Sequence, residues 1–298
     1  ATAITANTAK VGITAAQATA ITANTAKISD TGVPAILSDG SLPSLNTGIT
    51  GAEVRTLIGA GTASAGVDEE VILTSGVATL TKTITIPAGA TSTGVDGFSG
   101  EGITSLVFPT SLLVIGVDSF KDNKIASLSL PNNLTTIGNH SFNNNLLTGT
   151  LAIPASVTSI GNSSFVGNKI QTLTFTGTST LSTIGSGAFS FNALVSLVIP
   201  PSVTSIGSEA FSQQQNNSGL TLTSLSFSST AMTINNAAFQ VNDLLTTITI
   251  PNNYILKDFV FAQCIGVTSV NLGTGVTLNE GTFSGLTSLT TITFPTGT

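Results

Sequence analysis

The 298-residue chain has 7% charged residues, a net charge of −6 and eight Lys+Arg, against about 25% charged residues in an ordinary soluble domain. This balance excludes a nucleic-acid-binding surface, which needs a basic patch. It also excludes disorder, because 41% of the residues are apolar and they recur at fixed positions.

There is no basic amphipathic stretch for a membrane surface. The longest apolar runs, such as Leu112-Leu113-Val114-Ile115, are far too short to span a bilayer. The chain begins with Ala1 and its one methionine is Met232, which reads as a processed chain or part of a longer one. Cys264 is the single cysteine, so neither an intrachain disulfide nor a zinc-binding cysteine cluster is expected.

Residues 1–10, ATAITANTAK, return unchanged as residues 18–27, a period of 17. Seventeen residues over five helical turns is about 3.4 per turn, which favours a left-handed supercoil. Ile4, Thr8, Val11, Ala15 and Ala18 keep the 4-3-4-3 spacing of a coiled-coil seam. A β-rich shaft is the competing form, since Thr favours strands. In either form the apolar stripe is too thin to bury itself, so residues 1–28 predict a self-associating stalk. Isoleucine at the core positions favours three or more strands.

Residues 29–66 are rich in Ser and Gly with Pro34 and Pro43, and predict a connector with one short helical piece around 51–58. The runs NTAKVGIT, AITANTAK and ITGAEVRTLIGAGTAS resemble the shaft and neck segments of bacteriophage tail fibres. That resemblance implies a trimeric stalk carrying a distal domain.

From residue 67 onward the chain reads as a repeat solenoid. A pattern of about 22 residues recurs ten times between Ile84 and Phe294, and at this period one coil buries its apolar face only by stacking on the next. Each copy has a Ser/Thr–apolar–x–apolar strand, usually a Pro, then Ile-Gly, then Phe, then Asn or Cys. Pairs such as Leu128/Leu130, Leu151/Ile153 and Leu197/Ile199 point inward by strand alternation. Ile115, Ile137, Ile160, Ile184, Ile206 and Ile234 supply a second inward layer, and the glycine after the first five is expected to permit a tight bend. Phe98, Phe120, Phe142, Phe165, Phe189, Phe211, Phe239, Phe261 and Phe283 predict a stacked aromatic spine. Three residues further on, Asn123, Asn145, Asn168, Asn192, Asn242 and Cys264 are placed to hydrogen-bond the neighbouring coil. Residues 71–80 predict a capping strand and turn at the start.

This register of strand, Pro, Ile-Gly and Phe over residues 81–298 resembles the BspA-like class of leucine-rich repeats. The resemblance implies parallel strands on one side of a right-handed solenoid, and roles in adhesion or recognition. The chain departs from that class in using Asn where Cys is frequent.

The outward strand positions form two columns without a charge. One contains only hydroxyls, including Thr83, Thr172 and Thr247; the other includes Thr85, Thr174 and Thr249 alongside Val107, Ala152 and Val198. Ser and Thr suit strands and ladder with one another, so these columns read either as sheet chemistry or as a ligand surface. A glycan would use such hydroxyls but usually needs an aromatic platform, and Tyr254 is the one tyrosine with no Trp present. Thr-x-Thr arrays suit ice, but Val and Ala interrupt the array. The extra residues at 213–219, with Gln213, Gln214, Gln215, Asn216 and Asn217, are a second candidate contact surface, because insertions into a solenoid gather on one face.

Catalysis finds little support. His140 is the one histidine, and Asp118, Ser163 and Glu209 hold its place in other coils. No triad or carboxylate pair stands out, so an enzyme is not expected and no cofactor or metal is called for. The expectation is an extracellular attachment protein, on a virion tail fibre or a cell surface. It would be a homo-oligomer, as a trimer, contacting a cell-surface glycan or protein. A bacterial surface adhesin or filament subunit is the alternative, with a hydrolase further off.

Overall fold

The computed structural model describes residues 67–74, 77–216, 219–220, 222–228 and 231–295. The stalk expected over 1–28, the connector over 29–66 and Asn217 lie outside them.

The described chain opens with an antiparallel hairpin of β1 (Val67–Thr74) and β2 (Val77–Thr85). It then winds through β3 (Ser105–Val107), β4 (Val114–Ile115), β5 (Thr136–Ile137), β6 (Thr148–Ile153), β7 (Ser159–Ile160), β8 (Lys169–Phe175) and β9 (Thr183–Ile184). Next come β10 (Ser196–Val198), β11 (Ser205–Ile206), β12 (Gln215–Asn216), β13 (Gly219–Leu220), β14 (Ser224–Ser226) and β15 (Thr233–Ile234). The last are β16 (Thr247–Ile250), β17 (Ile255–Leu256), β18 (Ser269–Leu272), β19 (Thr277–Leu278) and β20 (Thr291–Thr293).

Two walls of parallel strands result. The front wall carries the longer strands in three sheets: β1-β2-β3, β6-β8-β10-β14 in spatial sequence, and β16-β18-β20. The expected strand at Leu128–Leu130 does not form, which leaves a break between β3 and β6. The rear wall is one continuous sheet of the two-residue strands β4, β5, β7, β9, β11, β15, β17 and β19. Where a capping strand is expected over 71–80, β1 and β2 pair over Val67–Thr74 and Val77–Ile84. β2 runs without interruption from the cap into the first repeat strand.

Between the walls runs the phenylalanine spine. Successive rings from Phe98 to Phe283 stack with centroids 5.1–6.0 Å apart and interplanar angles of 4–13°. The seven from Phe120 to Phe261 have no exposed surface, while the two end rings are half-buried. Stacked aromatic pairs contribute about 0.5–1.5 kcal/mol each beyond their area burial. The last inward pair, Ile292 and Phe294, is exposed, unlike its counterparts, since no described coil lies beyond it.

The amides form the second ladder. Asn168 accepts from the Leu147 N–H (3.0 Å) and donates to the Phe142 carbonyl (2.9 Å), both in the preceding coil. Asn123, Asn145 and Asn192 repeat that pair of bonds. Each Asn therefore satisfies a donor and an acceptor that burial would otherwise strand.

Two structural features differ from expectation. The glycines after the rear-wall isoleucines have no positive φ, so they serve close approach rather than a bend. A Cβ at Gly138 would sit 2.6 Å from the Gly116 carbonyl carbon and 2.8 Å from the Ile115 oxygen. Secondly, left-handed residues flank every spine phenylalanine. His140 (φ 52) and Asn144 (φ 56) bracket Phe142, and Asp118 (φ 54) and Asp122 (φ 56) bracket Phe120. The position of His140 thus varies in chemistry because backbone bonds to the next coil, not the side chain, set its conformation.

Ser141 and Ser164 precede spine residues with their hydroxyls buried and unpartnered, where Ala188, Ala210 and Ala238 stand in later coils. Removing a stranded hydroxyl at constant shape relieves its desolvation cost. Ser141→Ala is therefore expected to raise the urea unfolding midpoint, by up to about 1 kcal/mol in stability. A lowered midpoint would mean that the hydroxyl has a partner.

Candidate functional site

Strand alternation turns the hydroxyl columns outward as expected. Thr85, Thr172, Thr174, Thr247 and Thr249 are exposed and Thr83 is half-buried. They do not form one patch. Thr83 and Thr85 lie on β2 beside Ser105 and Val107. Thr172 and Thr174 lie on β8 beside Thr150 and Ala152, and Thr247 and Thr249 lie on β16 beside Ser269 and Asn271. Some of these groups already bond each other: the Thr247 and Ser269 hydroxyls are 3.1 Å apart, and Asn271 donates to Thr249 Oγ1 (3.3 Å). The two outward columns of the repeat strands are nonetheless without a charge, while β8 opens on the exposed Lys169 and β1 includes Asp68, Glu69 and Glu70.

The insertion is a small antiparallel hairpin, with β12 and β13 paired Gln215↔Leu220 and Asn216↔Gly219. It begins two residues later than its composition suggests, at Gln215. Gln214 is fully buried and belongs to the amide ladder, donating to the Phe189 carbonyl (2.8 Å) and accepting from the Leu194 N–H (3.2 Å). It is not a surface contact. Gln213 is half-buried at a left-handed position (φ 52). Gln215 and Asn216 lie on β12.

Cys264 is buried and its thiol meets the Phe239 carbonyl at 3.2 Å, so it completes the ladder. Burial pushes its thiol up to about 12, with the Asn242 backbone working weakly the other way. Since the thiolate is the reactive form, native Cys264 is expected to resist a disulfide reagent at pH 8 and to react fully once unfolded. Fast labelling of the native protein would contradict this. The sign of the linkage follows: because burial raises the folded value above the unfolded one, the contribution is complete below the ordinary thiol range and falls as pH rises toward about 12.

Tyr254 is no platform. It is buried, and its hydroxyl donates to the Ser228 carbonyl (2.8 Å). His140 Nδ1 lies 3.5 Å from an Asp118 carboxylate oxygen, and Ser163 follows in the same column. The backbone N–H groups of all three donate to the next coil, so none points at a reacting anion. Among the described residues, no cluster of three His, Cys, Asp or Glu side chains could hold a metal ion, and no helix is long and apolar enough to cross a membrane.

The surface contains two aromatics that the repeat pattern does not require, Phe191 and Phe259. Phe191 stands two residues beyond Phe189, 41% exposed with φ 54. The periodic pattern ignores this position, where other coils have Gly, Asp, Asn, Gln or Val. A phenylalanine out of register with the spine was the available signal.

Parallel coils, paired walls, a phenylalanine spine and an amide ladder define a leucine-rich-repeat β-solenoid. The BspA type leucine rich repeat region matches residues 91–218 and 216–298, and the chain belongs to this family. It is similar in fold to a leucine rich cell surface protein of Faecalibacterium prausnitzii, at 19% identity and TM-score 0.33 over 80% of this chain and 95% of that one. A leucine-rich repeat protein of Eubacterium ventriosum aligns at 18% identity and TM-score 0.41, over 77% and 76%. The pneumococcal vaccine antigen PcpA aligns at 16% identity and TM-score 0.32, over 78% and 70%. No curated protein sequence matches the chain.

Proposed function

We propose that the protein is an extracellular attachment protein that presents its solenoid, in several copies, to a cell-surface glycan or protein. The observation that carries this reading is the front wall, whose two outward columns are hydroxyl-bearing and without a charge among them. Such a surface makes many weak polar contacts without long-range steering, and linked copies convert weak contacts into avidity. The exact repeat of ATAITANTAK supports the linkage and a setting on a phage or phage-like tail fibre, as a homotrimer. The family match supports a second setting, a bacterial surface adhesin.

Light scattering on the full chain should give three times the 29.9 kDa chain mass. Labelled protein should be retained on intact host cells and displaced by excess unlabelled protein. A monomer would remove the multivalent mechanism, and absence of displaceable retention would remove the attachment role. Copurification with virions separates the fibre from the cellular adhesin.

A further inference from the structure

We infer that Phe191, Gly167 and Asn144 form a binding ledge for a neutral sugar ring on the turn surface of the solenoid. This rests on the attachment reading and names its ligand class. The three residues occupy equivalent left-handed positions in successive coils, with φ 54, 70 and 56. Backbone bonds tie them in order: Asn144 N–H donates to Val166, and Gly167 N–H to Ser190, in the coil that follows each. At a spacing of about 4.8 Å per coil, Asn144 and Phe191 flank a gap two coils wide with the Gly167 backbone as its floor. A Cβ built on Gly167 would find Asn144 atoms as its three nearest neighbours, at 3.8–4.0 Å, so the Phe191 ring does not cover Gly167.

A bulky residue at positive φ is uncommon, and here the conformation is the one that every coil repeats, shared by Val241 (φ 56) and Phe259 (φ 60). Phe259 is the instructive comparison, being equally exposed at φ 60. Its ring covers Gly281 in the next coil, where a Cβ would collide with it. Phe259 therefore covers a glycine of the adjacent coil, which Phe191 does not do at Gly167. The polar wall opposite is pre-oriented, because Asn144 donates to an Asp122 carboxylate oxygen at 2.8 Å. That fixes the amide and leaves its own oxygen as an acceptor.

A pyranose matches both walls. Its C–H face stacks on the ring, and a hydroxyl donates to the Asn144 oxygen. Asp122 disfavours an anion, and a lone phenylalanine is a poor cation site beside tryptophan.

The test is saturation-transfer NMR on the full chain with the methyl glycosides of glucose, galactose, mannose and N-acetylglucosamine. Transfer to the ring C–H protons of at least one sugar is expected. Phe191→Asn removes the platform with a residue that tolerates the left-handed conformation, and Gly167→Asn fills the ledge while keeping the ring. Each should weaken binding by about tenfold with the thermal midpoint unchanged or raised. No transfer from any of the four glycosides, or full transfer in either variant, overturns the ledge. Cell retention of the wild-type protein without sugar transfer would leave attachment standing and remove the ledge alone. Sugar transfer without cell retention would do the reverse.

Discussion

Phe165→Ala is expected to lower the unfolding free energy by about 3–5 kcal/mol, and Phe98→Ala by markedly less. Phe165 is fully buried and stacks on both sides, 5.4 Å from Phe142 and 5.1 Å from Phe189. Truncation therefore removes two ring contacts and opens a cavity that the amide ladder and the two walls cannot collapse. Phe98 is half-buried at the end of the spine and its stacked partner is Phe120, 5.3 Å away. In a solenoid each coil is held by its neighbours alone, so position in the stack decides the cost. Chemical unfolding followed by circular dichroism measures both. Equal losses would mean that the rings do not transmit stability from coil to coil.

Asn168→Leu is comparable in size, with an expected loss of about 2–6 kcal/mol from two buried groups left unpaired at about 1–3 kcal/mol each. Leucine matches asparagine in size but makes neither bond, stranding the Leu147 N–H and the Phe142 carbonyl. Asn168→Cys should cost less, because a thiol at this position still reaches a carbonyl, as Cys264 does at 3.2 Å. Hydrogen exchange at the Leu147 amide reads the effect locally and should accelerate in both variants. An unchanged exchange rate in Asn168→Leu would show that the ladder carries no stability.

The sequence makes the spine and most of the amide ladder visible because both depend on one residue type at one spacing. Cys264 is legible for the same reason. Gln214 falls three residues after Phe211, the ladder's own spacing, yet its neighbours Gln213 and Gln215 give it the composition of a loop. One extra methylene lets it reach the same two backbone groups. The rear wall is harder to foresee. Strands of two residues such as Thr136–Ile137 have too little length to show alternation, and they exist because stacking brings their backbones into register.

The left-handed columns leave almost no compositional trace, since Asp, His, Ser, Gly and Phe all occupy them. Backbone bonds to the next coil impose the conformation, and side-chain preference does not. That is why Phe191 escapes a reading based on repeats. The Ile-Gly motif is visible, but its reason is not: whether a glycine serves a bend or a close approach depends on what packs against it, and at Gly138 that is the backbone of the preceding coil.

The most direct test of the stacked solenoid is ring-to-ring nuclear Overhauser contact in protein labelled at phenylalanine. Cross-peaks are expected between Phe142 and Phe165, and between Phe165 and Phe189, whose centroids lie 5.4 and 5.1 Å apart, with none between Phe142 and Phe189. Missing contacts between consecutive rings, or contacts that skip a coil, would contradict the fold on which the attachment surface and the sugar ledge both depend.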